Sequence, residues 1–145
     1  MKKLALAAFA AAAACGGSST TKFPTITITA PGAGASVKLD STKIVPLQYT
    51  TTDFVVKAIS VCGSESSACG HVHVLIDGAL CSAGGPYNNT SSAAPTANAD
   101  FNKCDPSVVY RSHTIMLELH TDGHNQIHNA GGQEISAAVA FTVTQ

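Results

Sequence analysis

The stretch GHVHVLIDG, at residues 70–78, predicts a β-strand with two unlike faces. Side chains alternate along a strand, so the β-branched residues at the even positions share one face, which we expect to point into a core. The two histidines, His71 and His73, then lie two residues apart on the opposite face. Two imidazoles placed in this way are a simple means by which a sheet can hold a transition-metal ion.

Similar short runs, alternating or rich in β-branched residues and separated by turn residues, recur along the chain. About seven such strands, with no amphipathic helix and no internal repeat, are typical of an antiparallel, immunoglobulin-like β-sandwich. We therefore expect one all-β domain over residues 23–145. Pro46 predicts an edge position or a bulge within its strand. The predicted strands lie at residues 25–29, 35–39, 43–51, 54–62, 71–77, 112–120 and 135–144.

The strand predicted at residues 112–120 also has two faces, and its inward set begins with His113. We expect His113 to be a structural histidine that hydrogen-bonds a loop carbonyl. The outward set ends with His120, and the turn at Asp122 and Gly123 follows it directly. A hairpin there would bring later histidines toward the first pair. The inward residues are His113, Ile115, Leu117 and Leu119, and the outward ones are Met116, Glu118 and His120.

The histidines of these two regions are candidate ligands of a copper or zinc ion, held by neutral imidazoles. Met116 could add a thioether, which would favour copper, and Glu118 and Asp122 could orient the imidazoles by accepting N–H hydrogen bonds. Affinity is then expected to fall as the pH drops through about 6.5. The alternative is that the histidines are only polar residues on a solvated strand face. The candidate ligands are His71, His73, His124 and His120, with His128 as a further neighbour.

The N-terminal residues are typical of an export signal, because Lys2 and Lys3 precede a short apolar run. The run ends in Ala-Ala-Ala-Cys and a small polar stretch follows, which resembles the bacterial lipobox. The resemblance implies a lipoprotein signal peptide at 1–14, lipidation of Cys15 and a flexible tether at 15–22. The protein would then be anchored to the membrane in the bacterial cell envelope, facing the periplasm or the exterior. A plain secretory signal, which would leave Cys15 as a free thiol, is the alternative.

Charge and cysteine content give two further expectations. The whole chain has a formal charge of −1, and loss of the two signal lysines lowers it to −3; no basic patch remains, so nucleic acid is not an expected partner. An exported domain folds where disulfides form, and four cysteines allow three pairings. We predict Cys62–Cys69, across what resembles a hairpin tip, and Cys81–Cys104, across a long loop of low complexity.

Several motifs together resemble a group of exported bacterial and archaeal immunoglobulin-like domains with the patterns GHVHVxxDG and GxHTLxVELxxxDH. They are GHVHVLIDG at 70–78, SHTIMLEL at 112–119, His124 and the closing strand AVAFTV at 138–143. The resemblance covers most of residues 54–143 and implies an extracytoplasmic sandwich without an assigned activity. Gly123 and Arg111 depart from the pattern, and the two cysteine-bounded loops are insertions. By matched position it points to His71, His73, His113 and His124.

A local resemblance to Cu/Zn superoxide dismutase implies a different function, copper-dependent dismutation. It rests on HVH at 71–73, CSAGGPYN at 81–88 and His120. In that family a His-x-His pair and a strand-end histidine bind copper. Here Tyr87 and Asn88 stand where a copper-bridging histidine is expected, and the zinc-ligand histidines and the C-terminal arginine are missing from the sequence.

The sequence thus predicts a lipid-anchored, non-enzymatic binding module that holds copper or zinc through surface histidines. No Gly-x-Ser-x-Gly elbow or selected carboxylate pair indicates hydrolytic chemistry. A structural or adhesive surface module without metal, and the dismutase, are the alternatives. No particular protein or small-molecule partner follows from the residues.

Overall fold

The computed structural model describes residues 22–145. The predicted signal peptide, Cys15 and the tether up to residue 21 lie outside the described residues. The described chain contains nine strands and two short 3-10 turns, at Phe101–Lys103 and Pro106–Val108. The strands are β1 Thr25–Ala30, β2 Ser36–Lys38, β3 Ile44–Thr52, β4 Val55–Val56, β5 Cys69–Ile76, β6 Asn89–Ser91, β7 Thr96–Asp100, β8 Ser112–His120 and β9 Ser136–Thr144.

The strands form two sheets, which makes the domain an immunoglobulin-like β-sandwich, as predicted. One sheet has the order β1-β3-β7, and the other has the order β2-β9-β8-β5-β4, with β6 paired to β5. The pairing is antiparallel except at two sites, where β2 pairs with β9 and β4 pairs with β5 in parallel. These two short pairings are departures from the antiparallel arrangement that the sequence predicted.

The core lies between the sheets and follows the predicted alternation. Along β3 every second residue is buried, and Leu47 and Tyr49 are fully enclosed. The even-numbered residues of β5 and the odd-numbered residues of β8 meet them from the other sheet, and those from Val72 to Ile76 and from Ile115 to Leu119 have no exposed surface. Burying such side chains stabilises the fold by about 1.5–3 kcal/mol each.

Pro46 lies in β3 opposite Asn98 of β7, at a point that β1 does not reach, because the pairing of β1 with β3 ends at Gln48. The position therefore has a paired neighbour on one side only, which fits the predicted edge position. It also suits proline, because proline has no backbone N–H to donate to a second neighbour.

Three strand predictions were wrong. The strand expected at 54–62 is reduced to β4, because the polypeptide turns after Val56, and Ile59 and Val61 are exposed. The long loop expected between the second pair of cysteines contains β6 and β7, and β7 completes the three-stranded sheet. The segment between Cys62 and Cys69 is not a hairpin tip, because β4 and β5 on either side of it run parallel.

Both predicted disulfides are present. Cys62 is bonded to Cys69 and Cys81 is bonded to Cys104. The first joins the loop before β5 to the first residue of that strand, and the second ties the segment after β5 to the 3-10 turn after β7. These bonds are consistent with an extracellular or periplasmic domain. Within residues 22–145 no helix is long and apolar enough to cross a bilayer.

Candidate metal centre

The pairing of β5 with β8 assembles polar side chains on the outer face of the larger sheet. His71 pairs with His120, and His73 pairs with Glu118. Residues directly opposite on antiparallel strands have their side chains about 5 Å apart, so these four groups are neighbours. Gly70 permits the close approach of the strands, since a Cβ at this position would lie 2.0 Å from the carbonyl oxygen of His120.

The turn after β8 brings the fifth member, His124, back over the sheet. Its N–H donates to the carbonyl of Thr121 at 2.9 Å, and its own carbonyl oxygen accepts a hydrogen bond from Nδ1 of His120 at 3.1 Å. His124 has a φ of 60°, the left-handed conformation typical of tight turns. Its ring therefore reaches the two histidines of β5.

Three ring nitrogens converge at this point. Nε2 of His73 lies 2.9 Å from Nε2 of His71 and 3.2 Å from Nδ1 of His124. One donor atom from each of the three residues lies within 4.8 Å of the others. In a tetrahedral site with metal–nitrogen bonds of 2.0–2.1 Å, ligand nitrogens are about 3.3 Å apart, so small adjustments would let the three nitrogens share one ion.

A second group of potential ligands shares His73 with the first. It consists of His73, Glu118 and His120, whose donor atoms also lie within 4.8 Å of one another. The ring of His120 stacks on that of His73, with centroids 3.7 Å apart, and its Nε2 is 3.2 Å from Oε2 of Glu118. Nδ1 of His120 must donate to the His124 carbonyl, which can only accept. A His120 ring with a single proton would then offer its Nε2, together with Oε2 of Glu118, to a cation.

The prediction of surface histidines was wrong for three of the four candidates. His71, His73 and His120 are 0%, 4% and 6% exposed, and only His124 is exposed. Chain segments cover this end of the sheet: the ring of Tyr87 lies 3.9 Å from that of His73, and the turn that carries His124 lies against His71. Alternation along the strand identified the correct face, but it could not show that loops bury it.

Burial determines the charge state of the pair on β5. Burial, followed by the rings of His124 and His120, lowers the pKa of His71 to about 4. Burial, followed by the rings of His120 and His71, lowers the pKa of His73 to about 3. Both rings are therefore neutral at physiological pH, the form in which imidazole binds metals. The expected onset of proton competition at about pH 6.5 is thus shifted downward for these two residues.

Asp122 supports the centre from the side of the disulfide loop. Its Oδ2 accepts hydrogen bonds from the backbone N–H groups of Cys62 and Gly63, at 2.6 and 3.0 Å. Oδ1 of Asp122 and Nδ1 of His71 are the two buried side-chain polar atoms within residues 22–145 that have no hydrogen-bond partner. Asp122 also opposes the lowering of the His71 pKa through its negative charge. Asp122 therefore lies near enough to act on the charge of His71, but no hydrogen bond joins the two side chains, so the predicted acceptance of an imidazole N–H by this carboxylate is not present.

The structure separates the remaining histidines from the cluster. His113 lies in the interior between the sheets, where Nε2 donates to the carbonyl of Val109 and Nδ1 is hydrogen-bonded to Oδ2 of Asp77, both at 2.9 Å. Neither nitrogen is free for a metal, so His113 has the expected structural role and not the site role implied by matched position. Burial would raise the pKa of Asp77, but hydrogen bonds from the Thr114 N–H and His113 outweigh it and lower that pKa. The side chain of His128 is exposed, and its backbone forms an isolated antiparallel β-bridge with Glu134.

A cavity of about 470 Å³ opens beside the ligand groups, and no pattern in the sequence had indicated it. Every member of the two ligand groups except His71 lines the cavity, namely His73, Glu118, His120 and His124. Tyr87 lines it as well. The amide of Asn88 is buried and donates to the carbonyls of Cys81 and Asp100. Neither residue supplies the bridging imidazole that the dismutase resemblance requires. Met116, a suggested thioether ligand, does not line the cavity.

Comparison with known proteins identifies no family. No protein-family model matches the chain, and no curated protein matches it. Among solved structures, the fibronectin(III)-like modules of CbhA from Clostridium thermocellum are similar to it, with 16% sequence identity and a TM-score of 0.42. The match covers 83% of this chain and 96% of that one. This degree of similarity assigns neither a fold nor a function, and the sandwich is defined by its own strand pairing.

Proposed function

We propose that this domain binds one divalent transition-metal ion, Cu(II) or Zn(II), through His71, His73 and His124. The observation that supports the proposal is the convergence of three imidazole nitrogens in a largely buried cluster. Neutral, buried rings that already face one another lose little freedom when they bind an ion. His120 and Glu118 lie close enough to complete the coordination or to orient the rings.

The donor atoms support Cu(II) or Zn(II) over soft or hard ions. The cluster offers imidazole nitrogens and one carboxylate, which suit Zn(II) and Cu(II). The four cysteines of the domain are in disulfides, so no thiolate is present to favour Cu(I). Of the two ions, the general affinity order favours Cu(II). The proposed role is binding and not catalysis, in a domain held at the cell envelope by a lipid on Cys15.

Calorimetric titration of the oxidised, metal-free protein with copper and with zinc tests this proposal. We expect one equivalent of metal to bind at neutral pH. The double substitution His71→Ala and His73→Ala should abolish binding, whereas His128→Ala, which alters an exposed histidine outside the cluster, should leave it unchanged. Absence of stoichiometric binding to the wild-type protein would favour the structural or adhesive alternative.

The lipid anchor needs its own experiment, because Cys15 lies outside the described residues. Cells that produce the full chain are labelled with radioactive palmitate. We expect the label to enter the wild-type protein and to be lost from the Cys15→Ser variant. Equal labelling of the two proteins would rule out lipidation at this cysteine.

A further inference from the structure

We propose that the cavity beside the metal centre binds a small aromatic ligand that also coordinates the ion through anionic oxygen atoms, as a catecholate does. This inference rests on the proposed metal site and adds the class of molecule that the site would hold. The cavity volume, about 470 Å³, lies within the range of roughly 300–1,000 Å³ that is typical of small-molecule sites.

The position of the ligand groups requires the occupant to carry donor atoms. His73 and His124 line the cavity, whereas His71 is fully buried and does not reach it. An ion held by these three rings would be open on the cavity side. His120 and Glu118 also line that side but pair with each other, so in this inference they orient the site and an external donor takes the fourth position. Three protein ligands and one accessible position are the arrangement by which metal sites accept an external ligand.

The charge of the site favours an anionic donor. Imidazole binds a metal ion as the neutral ring, so three histidine ligands would leave the full charge of a divalent ion uncompensated. Glu118, at the edge of the cavity, offsets one positive charge. A bound ion is the largest local charge in such a site, and the positive charge that remains attracts a phenolate or catecholate oxygen.

The apolar part of the lining favours an aromatic ring over a small inorganic anion. It is formed by Leu75, Pro86 and Tyr87. Tyr87 is half-buried, and its ring is parallel to that of His124 to within 5°, with centroids 6.3 Å apart. A ring of the ligand can pack against these side chains while its oxygen atoms reach the ion, and burying apolar surface there adds to the affinity.

The probe is 4-nitrocatechol, whose absorption spectrum changes when its oxygen atoms coordinate a metal. It is titrated into the protein loaded with one equivalent of Cu(II). We expect a saturable one-to-one complex, and binding to the metal-free protein that is weaker by about tenfold or more. Desalting followed by metal analysis should show that the copper stays on the protein.

A cavity-filling variant separates the contribution of the apolar lining to binding of the probe from the contribution of the ion. Leu75→Trp should retain copper binding but weaken 4-nitrocatechol by about tenfold or more, because the larger side chain occupies the space of the ligand ring. Leu80→Trp, at an exposed position that does not line the cavity, is the matched control and should bind the probe as the wild type does. Azide, which needs an accessible coordination position but no apolar wall, should bind to both variants.

The possible failures are separable. If the protein takes up no copper, both this inference and the proposed function are overturned. If copper binds and azide changes its spectrum, but 4-nitrocatechol forms no complex, only the aromatic ligand is ruled out. The same conclusion follows if Leu75→Trp binds the probe as tightly as the wild type, or if the probe removes the copper.

Discussion

Acidification from about pH 8 to about pH 5 should destabilise the metal-free protein through two buried imidazoles. The pKa values of His71 and His73 are about 4 and about 3, against an ordinary value of 6.5. The folded protein therefore binds fewer protons than the unfolded chain between these values, and the free energy of unfolding falls as the pH decreases through this range. At pH 5 the loss is about 2 kcal/mol for each histidine, or about 4 kcal/mol if the two act independently.

The assay is urea unfolding of the metal-free protein, followed by circular dichroism at several pH values. Replacing both residues, as His71→Asn with His73→Asn, should remove most of the pH dependence, whereas His128→Asn, at an exposed position, should not. Asp77, whose pKa lies below 3.8, does not titrate within this range. A loss under about 1 kcal/mol in the wild type, or an equal loss in the double variant, would refute the reasoning from burial.

Three further predictions concern the residues that support the centre. Asp122→Asn should weaken metal binding by about tenfold, because it removes a negative charge near His71, and calorimetry measures this; an unchanged affinity would mean that the carboxylate only fixes the loop at its backbone contacts. Gly70→Ala should destabilise the fold by about 1–3 kcal/mol or more in urea unfolding, because the added methyl group would collide with the backbone of His120. Replacing Cys81 and Cys104 by serine should lower the free energy of unfolding by about 2–5 kcal/mol, and a thermal midpoint like that of the wild type would contradict this.

The strands with strong alternation were predictable, and the weak ones were not. β5, β8 and β9 carry bulky apolar residues at every second position, so their faces could be assigned before the structure was known. β7 has the sequence TANAD and buries only alanines, at Ala97 and Ala99. Asn and Asp are uncommon in strands, so only its pairing with β3 makes this segment a strand.

Elsewhere the sequence predicted a strand that was too long, because its apolar residues do not enter the core. Val55, Ile59 and Val61 favoured a long strand, but they are all exposed in the structure. The two parallel pairings also escaped prediction, because no local pattern in the sequence specifies which segments pair or in which direction. Sequence periodicity reports the faces of a strand and not the identity of its neighbours.

The histidine candidates could be found by spacing, but their surroundings could not. The strand period placed His71 and His73 together, and the turn at Asp122 and Gly123 suggested that His124 returns toward them. Glu118 was expected only as an outer acceptor, whereas it also lies within reach of a shared ion. The position of Tyr87 and the cavity depend on how two loops fold over the sheet, which no pattern in those loops indicates.

The bond between Cys62 and Cys69 sets an order of events for this protein. Cys69 stands two residues before His71, and the backbone of Cys62 is held by Asp122 of the turn that carries His124. The disulfide thus fixes the loop that Asp122 holds against the start of β5, next to the two histidines of that strand. In the reduced chain only hydrogen bonds hold this loop, so the ion site that we propose would reach its full affinity after oxidation, which takes place outside the cytoplasm.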